Sequence, residues 1–170
     1  VTGSHRNRRH IPTVDDVLLL PSSLEFIVTP DLMDENEHMN VQHYLAKNAQ
    51  ALGVRLKRVG ISSDLIPSQR RSGFTTEHHL YYLSEVVEGN PVSCHVRLTG
   101  RTSKALWSTV FMVERSSRKL ALVMETVVVY VNMDSRRASD FLPAVAAELD
   151  AEITADQALP WPMPVMRTAH

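Results

Sequence analysis

The chain has 170 residues, 44% of them hydrophobic and 22% charged, with a formal net charge of −1. That size and apolar content suit one ordinary globular domain with its own core and exclude the disordered, fibrous and disulfide-rich classes. A charge near zero with scattered basic residues argues against a nucleic-acid partner, the single cysteine, Cys94, cannot close an intramolecular disulfide, and no apolar run approaches the roughly 20 residues of a membrane helix. A soluble protein of the reducing cytoplasm, with no membrane partner, is therefore expected.

The polar, basic opening VTGSHRNRRH is not followed by a signal-like apolar region, so residues 1–20 are expected to form a flexible N-terminal segment ahead of a domain over 21–150. Glu25 to Val28 is a short β-prone run that Pro30 stops, because proline lacks the N–H of a sheet ladder. The segment VTPDLMDENEHMN then gathers acids, amides and a histidine before a helical pattern. From Val41 the apolar positions Val41, Tyr44, Leu45, Ala49, Leu52, Leu56 and Val59 follow three-and-four spacing, which predicts a helix with one buried face. Asn40 suits its N-cap and Gly60 its C′ position, and Arg55, Lys57 and Arg58 place cations at its negative dipole end.

ISSDLIPSQRRSG reads as a loop with a short helical turn ended by Pro67. The period then changes. Phe74 to Leu83, Val92 to Thr99, Ala105 to Glu114 and Leu120 to Met133 read as strands, separated by the turns EGNP, GRTSK and SSRK, and hairpin succession predicts an antiparallel meander. In the second of these Val92, Cys94, Val96 and Leu98 form the buried face, and Ser93, His95, Arg97 and Thr99 the wetter one. Asp140, Pro143 and AVAAEL predict a short late helix, and LPWPMP a proline-stiffened tail within residues 151–170. One long apolar helix with a meander is an α+β arrangement in which the sheet must cover the helix.

The stretch Asp34-Glu35-Asn36-Glu37-His38-Met39-Asn40, with Tyr44 one turn later, resembles the signature of hotdog-fold acyl-CoA thioesterases, in the branch of hydroxybenzoyl-CoA thioesterase: an Asp followed by a His-x-Asn segment at the start of the long helix. FTTEHHLYYLSEVVEGNPV is similar to that family's second strand, acidic turn and entry to the third strand, and the likeness spans Leu24 to Leu149. The resemblance implies a long central helix wrapped by a curved antiparallel sheet, a homodimer or dimer of dimers with a continuous sheet, active sites at the subunit interface, and hydrolysis of an acyl-CoA without a cofactor. It departs from the family at Glu37, where glycine is usual; a positive φ or a close approach there would make Glu37 costly.

On that resemblance Asp34 matches the family acid, as general base or nucleophile, and the helix-start amides of Val41 and Gln42 are expected oxyanion donors. His38, Asn40 and Tyr44 are supporting residues and Glu77 a candidate second acid, although Asn40 is equally suited to pure capping and Glu77 to solvent. His38, His43, His78, His79 and His95 invite a metal reading that their spacing opposes, so no metal is expected, and Cys94 reads as a core residue. Arg55, Lys57, Arg58, Arg70, Arg71, Arg101 and Lys104 are cations available to the phosphates of coenzyme A or to solvent. Tyr44, Tyr81, Tyr82 and Trp107 are aromatic candidates for a pocket wall, and some relatives act on thioesters of quaternary-ammonium acids, which aromatic faces would suit. The alternatives to hydrolysis are a non-catalytic acyl-CoA-binding or scaffold member of the fold, motivated by Glu37, and a hotdog dehydratase.

Overall fold

A computed structural model describes residues 11–163. Thr13 and Asp16 cap the single turn α1 (Val14–Val17) reciprocally, and β1 (Ser22–Ile27) follows. The central helix α2 (Val41–Arg58) then runs for 18 residues with the expected ends. Asn40 Oδ1 accepts the Gln42 N–H at 3.1 Å. At the other end Gly60 takes φ +82°, the Gly60 N–H donates to Lys57 O and the Ile61 N–H to Leu56 O, the paired bonds of a Schellman cap. The buried face differs from the one the apolar residues marked. Tyr44, Asn48, Ala51, Leu52, Arg55 and Leu56 are buried, whereas Val41 is 57% and Leu45 36% exposed. Two polar side chains thus sit on the core face, Asn48 donating its Nδ2 to Tyr44 O and Arg55 its Nη2 to Asp156, while Asn48 Oδ1 and Arg55 Nε are buried there without a partner among the described residues.

After the turn α3 (Ile66–Gln69) come β2 (Arg71–Tyr82), β3 (Pro91–Arg101), β4 (Ala105–Glu114), β5 (Lys119–Asn132) and the two-residue β6 (Arg137–Ala138), then α4 (Pro143–Gln157). The sheet order is β1-β3-β4-β5-β2 with every pair antiparallel, and β6 adds to β5. Helix α2 packs on β1, β3, β4 and β5, so the sheet wraps it in the hotdog arrangement. Only β3, β4 and β5 form the expected meander. β2 pairs with β5 instead of β3, because the connection 83–90 is drawn away to the head of α2: Met39 donates to Val86 O at 2.8 Å, Val86 to Tyr44 Oη at 3.0 Å, and Gly89 to Val28 O at 2.8 Å. Gly73 in β2 is required by close approach, since a Cβ there would lie 2.9 Å from Val128 Cγ1.

The second face of β3 is not wet. Ser93, His95 and Arg97 are 0%, 3% and 1% exposed, because the segments around Leu20 and around Trp161 fold over the outside of the sheet. Val17 and Leu20 from the front and Trp161 from the back join Phe111, Val113 and Val123 in a second small core. Arg97 stacks on Trp161, 3.9 Å from the ring centroid, and donates to the carbonyls of Asp156, Trp161 and Pro162. The late helix is longer than AVAAEL suggested and carries residues 151–157 of the segment expected to be a tail. Residues 1–10 and 164–170 of the expected terminal segments lie outside the described residues. Among the described residues no helix is long and apolar enough to cross a membrane.

Candidate active site

The loop ahead of α2 is a closed turn built on Asp34. Its N–H donates to His38 O at 3.0 Å, its carbonyl accepts the Glu37 N–H at 3.2 Å, and its Oδ1 accepts the Asn36 N–H at 2.9 Å. Closing this turn forces Glu37 to φ +62°, the left-handed region that favours glycine. The departure from the family residue is therefore carried as local strain. It does not open the loop, and the Glu37 side chain points outward, exposed. The base of the loop is tied to Leu32 O by the Asn40 N–H at 2.8 Å and to Val86 O by Met39.

These ties leave the Asp34 side chain only 8% exposed, with His38 Nδ1 3.5 Å from Asp34 Oδ1. Asp34 and Glu37 line one hollow of about 420 Å³ with Met33, Val87 and Glu88, and His38 leads into a neighbouring cleft of about 410 Å³. Met39, Val41, Tyr44, Tyr82, Leu83 and Glu85 wall that cleft. Burial pushes the Tyr44 phenol above its usual value, and the nearby Glu85 and Asp34 carboxylates push the same way. Three of the expected residues, His38, Val41 and Tyr44, thus line one cleft at the head of α2, and Asp34, 3.5 Å from His38, lines the hollow next to it; the first-turn N–H groups there gather positive potential. Asn40 is the N-cap, and in that role its side chain occupies the Gln42 N–H; of the two expected amide donors, Val41 at the first helical position is the one whose N–H no described hydrogen bond engages.

Glu77 is not brought to this loop within one chain. It lines a separate hollow on the outer face of the sheet with Thr99, Trp107, Glu125 and Thr126, and lies 3.4 Å from His79 Nε2. Of the expected phosphate-binding cations, Arg55 is buried against Asp156 and Glu152, while Lys57, Arg70 and Arg101 pair with Asp64, Asp134 and Asp150. Cys94 is buried in the core, with its thiol pushed up to about 12. Among the described residues no three His, Cys, Asp or Glu side chains converge as metal ligands. The residues that spacing alone did not single out are Leu83 and Glu85. They follow β2 without a helical or strand period, and it is hydrogen bonds to distant segments, the Met39 N–H to Val86 O, the Val86 N–H to Tyr44 Oη and the Leu83 N–H to Ala121 O, that place them in the cleft.

The model of the thioesterase-like superfamily matches residues 28–149, which takes in β1's exit, the Asp34 loop, α2 and every long strand after it. The betainyl-CoA thioesterase of Pseudomonas aeruginosa is 30% identical over 146 residues, covering 86% of this chain and 92% of that protein. Among solved structures, a Staphylococcus aureus protein in complex with CoA superposes with a TM-score of 0.79 at 20% identity, over 86% of this chain and 92% of that one. The DHNA-CoA thioesterase of the same organism does so with a TM-score of 0.69 at 12% identity, over 84% and 97%. With its fold, its helix-start acid loop and the family match all falling on the same residues, the chain belongs to the thioesterase-like superfamily.

Proposed function

We propose that the protein is an acyl-CoA thioesterase that hydrolyses its substrate at the head of α2. The observation that carries this reading is a carboxylate, Asp34, held 8% exposed beside the first turn of an 18-residue helix and next to an apolar-walled cleft. A thioester has a good leaving group, so the chemistry demands little more than a base and a donor to the carbonyl oxygen. Asp34 takes a proton from water as the water oxygen bonds to the acyl carbon. The Val41 N–H and the helix dipole stabilise the oxyanion, and the C–S bond then breaks to release the CoA thiolate and the free acid. In the nucleophilic variant Asp34 attacks directly and water cleaves the resulting anhydride. His38, beside Asp34 Oδ1, positions the carboxylate.

The free long edge of β2 suits antiparallel pairing with a second copy, which would extend the sheet and close the cleft at a subunit boundary. The test of the reading is thiol release from an acyl-CoA panel that begins with betainyl-CoA. Asp34→Asn should lower the rate by about 10²–10⁴-fold. Equal rates in both proteins would take Asp34 out of the reaction, and CoA-thioester binding without turnover across the panel would favour a binding or scaffold role.

A further inference from the structure

The backbone at the head of α2 leaves one amide for an oxyanion. Asn40 Oδ1 takes the Gln42 N–H at 3.1 Å and the His43 N–H donates to Asn40 O at 2.9 Å, so the Val41 N–H is the donor left over. Oxygen that turns negative as a thioester is attacked is held best by more than one preorganised donor. A second must then come from a side chain of the cleft. Ser84 Oγ already donates to Leu120 O at 3.3 Å, His38 sits beside Asp34 Oδ1, and Tyr82, half exposed, is open to water. Tyr44 remains.

Tyr44 follows Val41 by one helical turn, and helical side chains lean toward the N-terminus, so its ring lies back over the turn that carries the Val41 N–H. The ring is fixed before any substrate arrives. It is buried, it meets Tyr82 edge to face with centroids 5.5 Å apart and planes at 79°, and its Oη accepts the Val86 N–H at 3.0 Å. That accepted bond also directs the hydroxyl. A phenol O–H lies near the ring plane in one of two positions, and the Val86 N–H occupies one of them. Val86 is fully buried behind the ring and is no wall of the cleft, so the position left to the proton is the cleft side. Among the described residues no acceptor takes this proton. Burial and the nearby Glu85 and Asp34 carboxylates hold the phenol above its usual value, so it stays a donor. Resting on the hydrolytic reading of Asp34, we propose that Tyr44 is a catalytic residue whose O–H donates, together with the Val41 N–H, to the thioester carbonyl oxygen as that oxygen becomes negative. The proton stays on the phenol throughout. Its hydrogen bond strengthens as the water oxygen bonds to the acyl carbon and relaxes when the C–S bond breaks and the carbonyl re-forms.

The experiment compares the wild type, Tyr44→Phe and a protein carrying difluorotyrosine in place of Tyr44, each on the acyl-CoA that the wild type hydrolyses fastest. Tyr44→Phe should lower kcat by about 10²–10³-fold while KM changes little, the pattern of a donor used only as charge develops. This substitution also strands the Val86 N–H, so the fluorinated protein supplies a readout that an anchoring role would not move. Its hydroxyl still accepts the Val86 N–H but ionises at lower pH, and kcat should therefore fall at an alkaline pH where the wild type holds its plateau. A kcat in Tyr44→Phe within severalfold of the wild type, or alkaline limbs that coincide in the native and fluorinated proteins, overturns the donor role and leaves hydrolysis at Asp34 intact. If Tyr44→Phe does not fold, the alkaline limbs decide alone. A wild type that turns over no acyl-CoA removes the hydrolytic reading, and the role of Tyr44 falls with it.

Discussion

At its first turn α2 keeps polar groups near a cleft, whereas at its last turn it buries them among partners. No described hydrogen bond engages the Val41 N–H, Asp34 lies 3.5 Å from His38 in the loop that leads into the helix, and Glu37 holds a left-handed φ of +62° to close that loop. Near the other end, Arg55 is 4% exposed and gives Nη2 to Asp156 at 3.1 Å, while Asp156 also accepts the Leu98 N–H at 2.7 Å. The contrast teaches what polar groups near a core are for. Where donors and acceptors are matched across elements they hold the fold, here α4 against the β3 edge. Where strain and unspent donors collect beside a hollow, they are available to a ligand.

If that division is right, substitutions at the two ends should separate activity from stability. The largest effect is expected for Asp34→Asn, which should lower thioester turnover by about 10²–10⁴-fold while shifting the urea midpoint little, because the amide oxygen can still accept the Asn36 N–H. Asp156→Ala should do the opposite. It leaves Arg55 with Glu152 as its one remaining carboxylate and the buried Leu98 N–H without an acceptor, and should cost about 1–3 kcal/mol in urea unfolding with kcat per folded molecule retained. An Asp156→Ala protein of undiminished stability would break the comparison.

Smaller changes sharpen it. Asn40→Ala should cost about 1 kcal/mol in thermal or urea unfolding by removing the cap from the Gln42 N–H. Glu37→Gly should go the other way by about 0.5–1 kcal/mol, since glycine adopts φ +62° without a Cβ penalty. A destabilised Glu37→Gly would mean that this loop is not strained. The smallest effect belongs to pH and to the outer face. Burial holds the His95 imidazole below its ordinary 6.5, with Nδ1 2.9 Å from Leu20 O and Nε2 2.9 Å from Ser93 Oγ. The native state therefore binds fewer protons there than the unfolded chain, so this contribution is fully present above about pH 6.5 and is lost as pH falls through the depressed value. His78 acts in the same direction, also through burial. Urea midpoints between pH 7 and pH 5 should fall less steeply in His95→Gln than in the wild type.

The features legible in the sequence were those with a local cause. Asn40, Gly60 and the spacing between them mark both ends of α2, because caps depend on residues within one turn of the terminus. Strand limits were readable to within a few residues, and Cys94 was correctly assigned to the core by alternation alone. The likeness of Asp34, His38 and Asn40 to a family signature points to the helix head from the sequence alone. What alternation could not reveal is what covers a face. Ser93, His95 and Arg97 share a side of β3, but whether that side meets water depends on Leu20 and Trp161, 75 and 64 residues from their partners in the chain.

The same reasoning applies to the site. Periodicity, capping chemistry and a short acid-rich motif were enough for an α+β domain with its long helix and a candidate carboxylate at that helix's start, because each depends on neighbours a few bonds away. Assigning β2 to β5, turning Asn48 and Arg55 inward, engaging the Gln42 amide and drawing Tyr82 and Glu85 alongside Tyr44 were matters of packing. They follow from contacts between distant segments, whose free energies are settled by mutual burial and hydrogen-bond satisfaction and leave no periodic trace along the chain.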